Sequence, residues 1–220
     1  MKKSYYTAQN ISVRSQKILH QVEKYRQRHP FEFKPLEAAL LIVDMQRYFL
    51  DKGSGAYIPS ASATLPGIRS LMDVFLRNKL PVILTRHLDD PSDTTLMTKW
   101  WKEMIREEDS LSEIIPELNH PDALIIKKTQ YDAFYRTSLD DFLEGKRISQ
   151  IILTGVVTHL CCETTARSAF VKGYTVFFPV DGTATYKEKF HLASFLNLSH
   201  GFVIPSLCKE FHKPVESLKQ

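Results

Sequence analysis

Six short apolar runs, separated by polar loops and helix-patterned stretches, constrain this chain more than any other feature. They are Ala38–Val43, Pro81–Thr85, Ala123–Lys127, Gln150–Thr154, Tyr174–Phe178 and Phe202–Ile204. A run such as Ala-Ala-Leu-Leu-Ile-Val has no polar residue at alternate positions, so it reads as a strand buried on both faces. Between the runs the apolar period lengthens to that of a helix. Pro66 is placed to open one that carries Ile68, Leu71, Met72, Phe75 and Leu76, after a polar loop over 51–64. Further helices are expected near 94–107, around Glu113–Leu118, near 137–143, from about Cys162 to Lys172, near 187–200, and after Ser206 as a cap. Strands alternating with helices need crossover connections, which makes neighbouring strands parallel. The expected fold class is α/β, a doubly wound, mostly parallel six-stranded sheet flanked by helices.

The first 35 residues differ from the rest. Residues 12–28 pattern as an amphipathic helix with Ser12 at its cap, Ile18, Leu19, Val22 and Tyr25 on one stripe, and His29-Pro30 as its stop. This divides the chain into an N-terminal helical arm, 1–35, and a body, 36–220. The formal charge of +4 is concentrated in the arm, where eight Lys/Arg oppose Glu23 and Glu32, while the body carries 21 basic and 23 acidic residues. Without aromatic residues interleaved among these basic ones, a solvated arm fits better than a nucleic-acid or membrane surface. No apolar run nears the roughly 18–20 residues that span a bilayer, and Met1–Gln16 lacks the apolar core of a secretory signal. Three cysteines, two of them adjacent, do not make a disulfide framework. A reducing, cytoplasmic setting is expected.

Three strands end in reactive side chains. Asp44 follows the first, Lys128 the third, and Cys161 stands where the fourth hands over to a helix. In a doubly wound sheet the carboxyl ends of the strands share the edge where ligands bind. A carboxylate behind five apolar residues is partly desolvated, which is costly unless it is paired or used; a cap or a structural salt bridge is the alternative. Alternation sends Lys127 and Lys128 to opposite sides, so only one can face a shared pocket. A helix N-terminus and a lysine favour thiolate; lowering Cys161 from about 8.5 to about 6.5 would make it mostly thiolate at pH 7. Read singly, each could be structural: a lone cysteine is usually a small buried hydrophobe, and Cys162 and Cys208 read that way.

Four local strings sharpen this reading: Ala39–Gln46 (ALLIVDMQ), Lys128–Phe134 (KTQYDAF), Thr154–Arg167 (TGVVTHLCCETTAR) and Gly173–Asp181 (GYTVFFPVD). In order and spacing, from about Glu37 to Pro205, they resemble the isochorismatase-like cysteine hydrolases, the superfamily of isochorismatase, nicotinamidase and N-carbamoylsarcosine amidase. The resemblance implies a catalytic triad: Asp44 as acid/base, Lys128 as charged stabiliser and Cys161 as nucleophile. It also implies a non-proline cis peptide at Val156–Val157, an oxyanion hole from the backbone N–H groups of Val157 and Cys161, and a homodimer or homotetramer.

Within that resemblance, cysteine at position 161 favours C–N bond hydrolysis of a small amide, ureide or carbamoyl compound. Isochorismatases cleave a vinyl ether by protonation, and well-known examples lack that cysteine. Vinyl-ether cleavage and a catalytically silent binding protein of the same fold are the alternatives. The Asp-x-His…His metal site of nicotinamidases is not matched by Arg86-His87 and Asp89-Asp90, so no metal or other cofactor is expected. Asp132 stands where a small polar residue is usual, and is placed either to raise the pKa of Asp44, to meet a basic substrate group, or to face solvent. Tyr48, Phe49, Trp100, Trp101, Tyr131 and Phe134 are candidate walls of a small-molecule site. His87 and His159 flank the strand ends, Thr158 is placed to hold the nucleophile loop, and Arg167 and Glu163 are spaced as a helical ion pair.

Overall fold

The computed structural model describes residues 3–27, 32–89, 96–102 and 105–219. Seven strands form the sheet: β1 (Ala38–Val43), β2 (Val82–His87), β3 (Leu124–Lys128), β4 (Gln150–Val156), β5 (Thr175–Pro179), β6 (Thr183–Ala184) and β7 (Ile204–Ser206). The spatial order is β3-β2-β1-β4-β5-β7, with β6 paired to the end of β4, and every strand pair is parallel. This is the expected α/β sheet with one strand more: the two-residue β6 is too short to show as an apolar run.

Alternate residues of β1 feed two separate cores, which is why its sequence is apolar without interruption. Ala39, Leu41 and Val43 join one core, and Leu40 and Ile42 the other. The first core is closed by α1 (Ile11–Arg26), α5 (Leu139–Gly145), α6 (Glu163–Val171) and α7 (Glu188–Gly201). The second is closed by α3 (Ala61–Arg77) and α8 (His212–Glu216), while α2 (Arg47–Leu50) and α4 (Leu96–Trp101) lie in the connections after β1 and β2. The stripe of α1 is buried within the chain itself: Ile18 and Val22 are in the core, and Leu19 and Tyr25 pack on its rim. The ion pair of Arg14 with Glu188 at 2.8 Å joins α1 to α7. No helix among the described residues is long and apolar enough to cross a membrane.

Several boundaries differ from the sequence reading. Helix α3 begins at Ala61, so Pro66 lies inside it and not at its start. The segment Ala61–Leu65 is helix-compatible and buries Ala61 and Thr64, which outweighs the proline signal. No helix forms at 113–118, where Ile114 instead makes an antiparallel bridge to Gln46. Asn10, not Ser12, precedes α1. Leu207, not Ser206, caps the last helical segment, its N–H donating to Glu210 at 2.8 Å. His29, Pro30 and most of the loop ahead of α4 lie outside the described residues.

The connections reverse direction between β1 and β4, and the crevice at their carboxyl ends is the switch point of the sheet. Gly155 in β4 makes that crevice narrow. Its φ is +109°, and a Cβ there would lie 2.1 Å from the Val43 carbonyl oxygen. Only glycine permits both.

Candidate active site

β1 ends because Asp44 turns the chain, with φ at +50°. Asparagine and aspartate tolerate that left-handed region better than other side-chain-bearing residues. The turn is held from β2. The Asp44 N–H donates to Thr85 Oγ1 at 3.0 Å, and the Thr85 hydroxyl donates to Asp44 Oδ1 at 2.6 Å. Gln46 adds a second clasp. Its Nε2 donates to the carbonyls of His87 and Ser112, at 2.9 and 2.8 Å, and its Oε1 accepts the His87 N–H at 2.8 Å. Gln46 and Thr85 are fully buried.

At the end of β3, alternation separates the two lysines as expected. Lys127 is half exposed and pairs with Glu107. Lys128 turns inward, and neither its side chain nor that of Asp44 retains solvent exposure. The Lys128 ammonium lies 2.8 Å from Asp44 Oδ2, donates to the Gln130 carbonyl at 2.8 Å, and approaches Cys161 Sγ at 3.5 Å. His87 Nδ1 is 3.4 Å away. Burial disfavours the Lys128 charge, but the Asp44 carboxylate and the sulfur more than offset it, so its pKa is raised.

Cys161 lies in a widened, π-type turn, Thr158–Cys162, that runs into α6. The peptide bond between Val156 and Val157, just before it, is cis. The thiol is within hydrogen-bonding reach of Asp44 as well as of Lys128. The expectation of a resting thiolate does not hold. Burial pushes the Cys161 thiol up to about 12, Lys128 pulls it down, and the nearby Asp44 charge pushes it up again. The helix terminus and lysine are present, but enclosure dominates. Cys162 and Cys208 are buried, unpaired packing cysteines.

A cavity of about 310 Å³ opens on Cys161. Of the residues expected there, Tyr48, Phe49, His87, Tyr131, Val157 and Cys161 line it, together with Trp101. Trp101 donates its indole N–H to the Tyr131 hydroxyl at 2.6 Å, bracing one wall. The other expected residues sit elsewhere. Asp132 neither faces the cavity nor solvent alone: it accepts the Phe134 N–H at 2.9 Å and the Ser168 hydroxyl at 2.6 Å. It ties the loop after β3 to α6. Phe134 is buried in the core, stacked on Tyr174. Thr158 is buried against His191, and His159 is bonded to Thr185 and stacked on Phe190. Trp100 is exposed. Arg167 and Glu163 form the expected ion pair at 2.9 Å.

The sequence reading missed Asp89, Met97, Ile105, Leu160 and Tyr186 as lining residues. Only Asp89 carried a signal, as a carboxylate just past β2. It accepts the Ile105 N–H at 2.7 Å and lies 3.6 Å from His87 Nε2. Burial raises its pKa, but these donors outweigh burial and leave the carboxyl below its usual range. Asp89 is already engaged, and among the described residues no third donor joins it and His87. Among the described residues no cluster of three His, Cys, Asp or Glu is arranged to hold a metal ion.

Known proteins place this geometry. The isochorismatase domain model matches residues 38–209. Nicotinamidase 3 of Arabidopsis thaliana is 37% identical over 182 residues, covering 80% of this chain and 87% of that protein. Enterobactin synthase component B of Escherichia coli (strain K12) is 32% identical over 166 residues, covering 74% of this chain and 58% of its own length. The crystal structure of a cysteine hydrolase from Pseudomonas syringae pv. phaseolicola 1448A superposes with a TM-score of 0.81 at 26% identity, over 85% of this chain and 96% of that one. With its matched domain spanning the whole sheet and the residues converging at its switch point, this chain belongs to the isochorismatase family of hydrolases.

Proposed function

We propose that this hydrolase cleaves the C–N bond of a small amide, ureide or carbamoyl compound through a thioester on Cys161. The observation that carries the reading is the convergence of Asp44, Lys128 and Cys161, with the sulfur 3.5 Å from the ammonium, the ammonium 2.8 Å from the carboxylate, and Cys161 lining the cavity in front of the buried pair. The likeness to a nicotinamidase and to a cysteine hydrolase supports an amide as the scissile group and a thiol as the nucleophile.

The chemistry follows from the resting state. The buried thiol holds its proton, so a base must take it as the substrate arrives. Asp44 accepts that proton, and the sulfur attacks the carbonyl carbon. Lys128 stays cationic and stabilises the negative charge as it passes from the carboxylate to the sulfur. Val157 lines the cavity beside Cys161, and its N–H belongs to the cis peptide. With the N–H of Cys161 it receives the tetrahedral oxyanion. Asp44 returns its proton to the leaving amine, and water then hydrolyses the thioester. The apolar walls keep bulk water out, so each charge acts with little screening. A cavity of about 310 Å³ admits small molecules and not folded proteins.

Ammonia release from a panel of small amides, ureides and carbamoyl compounds tests the reading. Cys161→Ala is expected to lower kcat about 10³-fold or more, with the fold intact by circular dichroism. Turnover retained by Cys161→Ala would overturn the thioester and point to cleavage of a vinyl ether by protonation.

A further inference from the structure

Behind the nucleophile turn lies a closed set of buried polar groups that reaches the first residues of the chain. Thr158, Thr185 and His191 have no solvent exposure, and Tyr5 and Tyr6 have almost none. Thr158, the first residue of the turn, places its Oγ1 3.1 Å from His191 Nδ1. His159, the second, places its Nδ1 2.7 Å from Thr185 Oγ1. Both contacts lead to one hydroxyl. Tyr5 Oη accepts the Thr185 N–H at 3.0 Å and lies 3.1 Å from His191 Nδ1.

We propose that Tyr5 is a positioning residue for the hydrolytic site, its hydroxyl fixing, through His191 and Thr185, the turn that presents Cys161. This rests on the reading of Cys161 as the nucleophile. Burial pushes His191 down to about 3, so the imidazole is neutral and has one N–H and one lone pair. A hydrogen bond with the Val180 backbone favours the charged form but does not offset burial. Tyr5 Oη accepts the Thr185 N–H, and Nδ1 stands between it and the Thr158 hydroxyl, 3.1 Å from each. Removing the Tyr5 hydroxyl leaves the buried Thr185 N–H without its partner and takes one of two hydroxyls from His191 Nδ1. The segment is also pinned at its backbone, because the N–H groups of Tyr5 and Tyr6 donate to Ser60 Oγ at 2.9 and 3.1 Å. Tyr6 closes the set, its hydroxyl lying 3.4 Å from His191 Nε2. Thr185 is followed by Tyr186, which lines the cavity, so the same hydroxyl braces a wall of the pocket.

Tyr5→Phe keeps the ring and deletes the hydroxyl. It is expected to lower kcat about tenfold with KM changed less than about twofold, since a turn displaced by a fraction of an ångström spoils attack more than binding. The rate of Cys161 alkylation by iodoacetamide, which needs no substrate, should change at least about threefold. Tyr174→Phe is the control: it deletes the part-buried hydroxyl of another tyrosine, bonded to Asp140 at 2.9 Å and to no residue of this set, and should leave kcat unaltered. Thr158→Val breaks the set from its other end, and its loss should not multiply with that of Tyr5→Phe. The proposal is overturned if Tyr5→Phe keeps kcat and the alkylation rate within about twofold of the parent. It is equally overturned if Tyr174→Phe loses as much kcat at an equal fall in Tm, or if the two losses multiply. Failure of the thioester reading would show separately, as turnover retained by Cys161→Ala, while alkylation still reports the state of the turn.

Discussion

Lys127 and Lys128 are adjacent in β3, carry the same side chain and each pair with one carboxylate, yet they occupy opposite environments. Lys127 and its partner Glu107 are both more than half exposed, whereas Lys128 and Asp44 have no side-chain exposure. At the surface an ion pair exchanges water for a counter-ion and nets between about 0 and 1 kcal/mol. In the interior both charges have already lost their water, so each depends on the other, and their fields reach the neighbouring sulfur unscreened. The difference shows why one strand end is reactive and its neighbour is ordinary surface: enclosure, and not residue type, makes the cluster chemical.

Lys128→Met is the strongest attempt to break this contrast. It leaves Asp44 buried without its cation, and is expected to cost about 3–5 kcal/mol of stability in urea unfolding. Turnover should fall about 10³-fold or more. A variant that keeps both its stability and its rate would show that the pair is solvated in solution. A pH series sharpens the same point. The folded protein holds the Cys161 proton up to about 12, whereas an unfolded chain releases a thiol proton near roughly 8.5. The stability this contributes is therefore full below about pH 8.5 and is lost as pH rises through that window. Lys128, also raised, adds a loss on the same side, above the ordinary lysine value of about 10.4. The urea midpoint should decline above pH 9, and Cys161→Ala should make the decline shallower. The smallest effect is expected for Lys127→Met. It should shift stability by less than about 0.5 kcal/mol and leave kcat alone; a shift as large as that of Lys128→Met would remove the distinction.

Much of the fold was legible because strands buried on two faces must be apolar throughout. Ala38–Val43 has the same limits in the sequence reading and in the structure. The short β6 and the early start of α3 were not legible, since two residues carry no period and Pro66 imitates a helix start. Asp44, Lys128 and Cys161 were legible as a group because Asp44 directly follows β1, Lys128 ends β3 and Cys161 lies in the turn after β4, and the sheet carries strand ends to one edge. Asp132 was misjudged because its spacing from Lys128 says nothing of rotamer: Ser168 on α6, far along the chain, claims its carboxylate. Phe134 and Thr158 were misplaced for the same reason, each turned by a partner that local sequence does not name.

By itself, then, the amino-acid order determined the alternation of strand and helix, the parallel sheet, and which three reactive side chains reach its carboxyl edge. Those are consequences of period and strand direction, which are local properties. Tertiary structure decided the rest: that the thiol rests protonated, that Asp89 and Tyr186 line the cavity, and that Tyr5 meets His191 across 186 residues of chain. Burial and long-range contact set those features, and both depend on what packs around a residue and not on what precedes it.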